Sequence, residues 1–392
     1  MTFHAEVVGG SEVLVNWKSV CREFAEQVMV PHVRRCDEER EYPVVVHEQA
    51  AARGLLRAPF PAELGGGGLT YAEFAEGAAE MAVACPAMTW TMVFSRGALQ
   101  PVLEAGTPAQ QDIFVRQLIE RDGYAALGLT EPENGSNLLA ATTRAVRTET
   151  GWLLNGAKCM SGNGTVADVF LVLADTVVGS RRRGLSFFAV PRDSPGVMVG
   201  EDIQKAAFRC LPTPSVTFRD VELEPVNLIG REGDGEALLN GLLATIRIGG
   251  AACGAGLVTG LLRDALSWVS ERRVYPDVRL DTLSHVQLTL ARTYVELSGA
   301  RKIMMDAARR ADQGLPFSKE SAMAKYAATE LAVRASNEVL QLYGWRGIAV
   351  DYGVEKRWRD ARALTIYEGS SEIQLLTVFR EMRRMVTTAE GL

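Results

Sequence analysis

The chain has 392 residues, 47% hydrophobic and 23% charged, with a formal net charge of −6 and a pI near 5.5. That length exceeds what one hydrophobic core serves comfortably, so two or three packed units are expected. The acidic balance argues against nucleic acid as the principal partner. By inspection no apolar run approaches the ~20 residues of a bilayer span, so no membrane role is expected.

The opening M-T-F-H-A-E-V-V lacks the basic and apolar regions of a signal peptide and the arginines of a transit segment, which makes cytoplasmic residence the default expectation. Residues up to about 123 read as helical. Val13, Trp17, Val20 and Phe24 recur at helical spacing, as do Phe74, Ala78 and Met81. Pro43, Pro59, Pro61 and Pro86 punctuate these helices. The run Gly65 to Gly68 lacks the strand before it and the helix spacing after it that a dinucleotide fingerprint needs, so it reads as a loop.

From Tyr124 the pattern changes. Thr142 to Arg147 alternates like a strand, Trp152-Leu153-Leu154 follows, and Asn155-Gly156 is a hairpin signal. Val169–Leu173, Leu185–Val190 and Ser215–Leu223 are further strand candidates. Arg181-Arg182-Arg183 reads as a hairpin tip between strands. Strands at this spacing without a long helix suggest a small β-barrel or sandwich over 124–232.

Beyond Glu236 the helical period returns. Leu239, Leu242, Leu243 and Ile246 make one apolar face; Val286, Leu290, Tyr294, Leu297 and Met304 make another. A third long helix spans Ser318 to about Tyr343, and a fourth starts near Ser371, the count for a four-helix bundle over 233–392. Small residues crowd the first of these, from Gly249 to Gly256, where another helix or a flat cofactor can approach closely. The fold class is thus α+β and multidomain: an N-terminal helical domain (1–123), a middle β domain and a C-terminal bundle. The six cysteines carry no C-x-x-C pair and the four histidines are dispersed, so buried free thiols are expected and no metal site.

The chemistry concentrates at Arg359 to Gln374, R-D-A-R-A-L-T-I-Y-E-G-S-S-E-I-Q. Ser371 and Gln374 have capping-box spacing, so a helix starts there. Glu368, in an apolar loop before that helix, feels desolvation raising its pKa and the helix end lowering it. It is either a general base working near neutral pH or a helix cap. A second stretch, A-L-G-L-T-E-P-E-N-G-S-N from Ala126 to Asn137, is a polar loop. It can offer backbone N–H groups and hydroxyls to a ring or phosphate, or be a simple turn.

These two stretches, and the order of the segments between them, resemble the FAD-dependent acyl-CoA dehydrogenases over nearly the whole chain. The resemblance implies FAD as cofactor and α,β-desaturation of an acyl thioester, on CoA or on an acyl-carrier protein. Glu368 would be the α-proton base, with Tyr367 and Gly369 at the substrate and Ser370 and Glu372 at the cofactor. Leu129 and Thr130 would contact the flavin pyrimidine, and Ser136 flavin or thioester. The family's W-I-T segment corresponds to Met160, Ser161 and Gly162, so a covering Trp is replaced by Met and a Thr by Gly.

Arg247, which as a lone arginine would ordinarily be a surface group, would line the substrate entrance. Ile246 occupies the place where some members carry their glutamate, and it cannot accept a proton. Arg272 and Tyr275, with Gln287, resemble a segment touching a neighbouring subunit's FAD. Gln341 and Gly344 do the same, with Trp345 in place of a second Gly. A homotetramer or homodimer follows, with an electron-transfer flavoprotein, or oxygen, as electron acceptor. The arginine triplet is a candidate CoA-phosphate contact. A flavin oxidase or monooxygenase on the same scaffold, and a helical interaction protein without cofactor, are the alternative readings.

Overall fold

The computed structural model describes residues 10 to 388; His4, Val7 and Val8 lie outside them. Helices run from Gly10 to Glu120, strands from Ala125 to Ile229, and helices again from Gly235 onward, interrupted by one short hairpin of Arg273–Tyr275 with Val278–Arg279. Thr70 caps the Tyr71–Ala84 helix in a reciprocal box with Glu73, and Pro86 opens the next, Pro86–Ala98.

The middle unit is one eight-stranded sheet. Its strands are β1 (Ala125–Gly128), β2 (Arg144–Arg147), β3 (Trp152–Lys158), β4 (Val169–Val178), β5 (Arg181–Pro191), β6 (Val197–Asp202), β7 (Pro214–Leu223) and β8 (Leu228–Ile229). The order is β6-β7-β3-β2-β4-β5-β8, with β1 also on β4; β4 pairs in parallel with β1 and β2, and the other pairings are antiparallel. Strand alternation divides β4 between two cores. Val169, Leu171 and Leu173 join the core shared with the helices, whereas Phe170, Val172 and Ala174 pack with Trp152, Phe188 and Phe218 on the other face.

Two turn expectations are corrected. Asn155-Gly156 lies inside β3 at a register shift against β7; the turn is at Thr148, whose N–H bonds Gly151 O at 2.9 Å. A bulge glycine and a turn glycine give the same dipeptide signal. Arg181 to Arg183 begin β5 rather than forming its turn, and Arg182 is tied to Asp175 at 2.8 Å.

The C-terminal unit has its long helices at Gly235–Glu271, Ser284–Asp312, Ser318–Tyr343 and Ser371–Thr388, with Val354–Leu364 added. The first contains a window apolar and long enough to cross a membrane, contrary to the count by inspection. That window is 89% buried inside the protein, so its apolarity serves the core. Its small residues receive helices: a Cβ at Gly256 would stand 2.4 Å from Ala79 O, and one at Gly254 3.0 Å from Ala328. The R-D pair of the C-terminal motif joins all three units. Arg359 binds Asp37 at 2.6 Å and Ala206 O at 2.9 Å, and Asp360 accepts from Phe208 N–H at 2.8 Å and from Lys356.

Candidate active site

Glu368 sits in the loop between the Val354–Leu364 and Ser371–Thr388 helices, in the left-handed region with φ of 56°. Such a backbone costs energy for a residue other than glycine and persists only where its surroundings hold it. The surroundings are specific. Gln374 donates from its amide to Glu368 O at 3.2 Å and Gly369 O at 2.8 Å, and Lys325 Nζ donates to Gly369 O at 2.7 Å. Gly369 follows at φ 85°, where a Cβ would collide with Gln374 Nε2. The expected capping box is therefore not formed. The Gln374 side chain holds the loop instead, its N–H goes to Ser370 O at 3.0 Å, and the Ser371 hydroxyl donates to Glu330.

The carboxylate is enclosed by protein and keeps only partial exposure. Burial raises its pKa to about 7, against the weaker pull of the Lys325 and Arg247 charges. Neither cation makes an ion pair with it among the described residues. Burial in turn lowers Lys325 to about 8 and Arg247 to about 10; the nearby Arg380 adds to the latter shift. Arg247 is only 4% exposed, unlike an ordinary lone surface arginine. The Glu368 N–H makes no hydrogen bond among the described residues and is free to meet a ligand oxygen.

The second loop approaches from the middle unit. Cys159 N–H bonds Thr130 O at 2.8 Å, and Lys158 Nζ donates to Leu129 O at 3.2 Å and to Glu131 at 2.8 Å. This brings Leu129 and Thr130 together with Met160, Ser161 and Gly162. Met160 and Asn163 both have positive φ; Ser161 N–H and Asn163 N–H anchor the turn on Pro214 O and Pro212 O. Asn163 also donates to Thr91 O at 2.8 Å, tying this loop to the Pro86–Ala98 helix. From there a row of rings leads to the glutamate: Phe94 to Trp90 at 5.8 Å, then Trp90 to Tyr367 at 5.1 Å, with Phe208 on Tyr367 at 5.2 Å.

Buried polar atoms without a partner gather along this path: Ser161 Oγ, Asn163 Oδ1, Thr245 Oγ1, Arg247 Nε, Tyr367 OH and Gln374 Oε1. Buried polar groups are ordinarily paired, so a concentration of unpaired ones marks where a polar ligand belongs. A flat heterocycle with ring nitrogens and carbonyls fits the chemistry of Ser161 and Asn163 beside Leu129 and Thr130.

Other expected residues stand apart. Ser136 is exposed in its loop, as is Glu372 at the helix start, while Ser370 is half-buried. Arg272, Tyr275, Gln287, Gln341 and Gly344 are all on the chain's surface, with Gln287 donating to Asp281 O at 2.8 Å. Reasoning from sequence misses Lys325, Trp90, Phe94 and the structural role of Glu131. A lysine alone among the small residues of A-M-A-K-Y-A-A is the available signal for the first. A cleft of about 400 Å³ lies elsewhere, and its charged walls pair with each other, as Arg22 does with Glu80 at 3.0 Å.

A helical, β, helical chain with this loop pair defines a flavoprotein, an oxidoreductase acting on CH–CH bonds with FAD. Models described as the N-terminal, middle and C-terminal domains of acyl-CoA dehydrogenase match residues 12–122, 126–221 and 233–383, and the chain belongs to the acyl-CoA dehydrogenase family. The mitochondrial short-chain specific acyl-CoA dehydrogenase of Mus musculus is 33% identical over 94% of this chain and 89% of its own length. A probable acyl-CoA dehydrogenase of Bacillus subtilis (strain 168) is 31% identical over 93% and 96%. The butyryl-CoA dehydrogenase structure from Megasphaera elsdenii superposes with a TM-score of 0.90 at 27% identity, covering 97% of this chain and all of that one (100%).

Proposed function

We propose that this protein desaturates an acyl thioester between its α and β carbons, with Glu368 as the base that takes the α-proton. One observation carries the reading: a glutamate enclosed beside the ring cluster, with its pKa raised to about 7, is matched to proton abstraction near neutral pH. FAD, when bound, supplies the two-electron sink for the hydride that leaves the β-carbon.

The chain's own residues do the rest. The unengaged Glu368 N–H donates to the thioester carbonyl and stabilises the negative charge that develops there as the α-proton leaves. Gln374 and Lys325, through the Glu368 and Gly369 carbonyls, hold that N–H and the carboxylate in one orientation. Trp90, Phe208 and Tyr367 keep water from the carboxylate, which preserves its basicity. Leu129, Thr130, Ser161 and Gly162 would hold the flavin ring.

An electron-transfer flavoprotein is the proposed acceptor, and assembly with further copies of the chain is proposed as well. The latter is supported by exposed Leu288, Tyr294 and Val295 on one helix and Trp345 and Ile348 after another. The deciding experiment mixes the FAD-loaded protein anaerobically with a panel of acyl-CoA and acyl-carrier-protein thioesters. Bleaching of the flavin by at least one, with the α,β-unsaturated product recovered, is the expected result. No bleaching by any of them would refute the reading, and rapid reoxidation by air would replace the flavoprotein acceptor with oxygen.

A further inference from the structure

Trp90 belongs to two places at once. Its ring leans on Tyr367, the neighbour of Glu368, at 5.1 Å and 47°. It also lines a separate cavity of about 30 Å³ bounded by Leu69, Phe74, Phe94, Ile246 and Gly249, and neither Tyr367 nor Glu368 reaches that cavity. The indole therefore stands as a partition between the reacting carboxylate and the apolar space behind it. It is 3% exposed and packed hard: a Cβ at Gly249 would stand 3.1 Å from its six-membered ring. Ile246 closes the same end, since a Cβ at Gly97 would be 2.6 Å from its Cγ2. The space behind is narrow, about 30 Å³ where one water needs ~10–15 Å³, and it is partly open to the outside.

We infer that Trp90 is a specificity-determining residue that limits the substrate to thioesters of short acyl groups. This rests on the proposed function and adds to it the size of the acyl group. Protein interiors yield little to extra methylenes, and each misfit CH₂ in an apolar pocket changes kcat/KM by roughly 10–200-fold. Replacing the indole by a small side chain joins the cavity to the space beside Glu368 and lengthens the pocket.

The test uses the FAD-loaded protein and saturated acyl-CoA thioesters from propionyl to dodecanoyl. Binding is read by perturbation of the flavin spectrum and turnover by anaerobic bleaching. In the wild type, both affinity and kcat/KM are expected to fall at least ~10-fold from butyryl to octanoyl. Trp90→Ala is expected to raise the octanoyl-to-butyryl ratio by a further ~10-fold or more, chiefly through KM, with Trp90→Phe between the two. Trp90→Phe serves as the decisive variant if the alanine form does not fold or hold FAD.

A wild type that prefers octanoyl, or a folded variant with an unchanged ratio, overturns the inference. Should thioesters bind with the length limit but none be desaturated, the inference stands and the reaction assigned above falls. Should none bind, both fall.

Discussion

Two glutamates, each in a loop that closes the site, have opposite electrostatic fates. Glu131 and Lys158 are both buried at 2.8 Å, and Glu131 also accepts from Thr142 N–H at 2.7 Å, Thr142 Oγ1 at 2.6 Å and Thr143 N–H at 2.9 Å. Burial pushes its pKa up, but these hydrogen bonds outweigh burial and hold the carboxyl far below its usual range. Glu368 also has cations nearby, Lys325 and Arg247, yet none donates to it, and burial prevails. Proximity of positive charge is thus insufficient; donors aimed at the ionised form decide which carboxylate is held ionised and which is left easy to protonate. Lys325 illustrates the design, since its hydrogen bond goes to Gly369 O and fixes the loop, while its charge reaches the Glu368 carboxylate without donating to it.

The contrast can be broken at either end. Glu368→Gln keeps the volume and removes the proposed base. Desaturation, followed as flavin bleaching, is expected to fall by about 10³-fold, within the range general bases contribute, while FAD stays bound. Wild-type speed in this variant would show that the base lies elsewhere. Lys158→Met leaves Glu131 buried without its cation. A destabilisation of about 3–5 kcal/mol is expected in chemical denaturation, with release of FAD from the loosened Leu129–Thr130 loop. Glu131→Gln should lose a comparable amount, because its NH₂ faces donors and Lys158 is left buried without an anion.

Lys325→Met sharpens the comparison. Removing that cation raises the Glu368 pKa further, so the acidic limb of kcat/KM moves to higher pH. Activity near pH 6 should drop by roughly tenfold and recover towards pH 9, with Lys325→Arg retaining the wild-type limb if its guanidinium keeps the contact. A uniform loss at every pH would make the lysine merely structural.

The smallest effect is on stability. Because folding raises the Glu368 pKa from 4.5 to about 7, the folded state binds this proton more tightly than the unfolded chain. Its contribution is fully present below pH 4.5 and is lost as pH rises through about 7. Glu368→Gln should therefore gain in melting temperature relative to wild type above pH 7, with the difference shrinking towards pH 4.5, as thermal unfolding across that range would show.

Much of this site is legible in the amino-acid order. Y-E-G-S-S and T-E-P-x-x-G-S are contiguous, and it is their resemblance to the family's segments that singles out Glu368, Leu129 and Thr130. Strand alternation and helical period locate the three units by local pattern. Turn assignment fails where one dipeptide serves two conformations: Asn155-Gly156 is as suited to a bulge as to a hairpin. The capping box does not form because Gln374 finds two carbonyls of its own loop to bind. The burial of Arg247 has no local signal, and its place at the substrate entrance comes only from the resemblance.

Neighbours along the chain are enough to set which segments are helix or strand, the family signature and the candidate glutamate, because each of these depends on a short contiguous stretch. Folding in three dimensions is needed to shift Glu368 to about 7 while Glu131 is clamped, and to stand Trp90 between the carboxylate and the cavity behind it. Desolvation, charge and cavity shape are sums over atoms close in space but distant in sequence, as Lys325 is from Gly369. No one-dimensional pattern carries that sum.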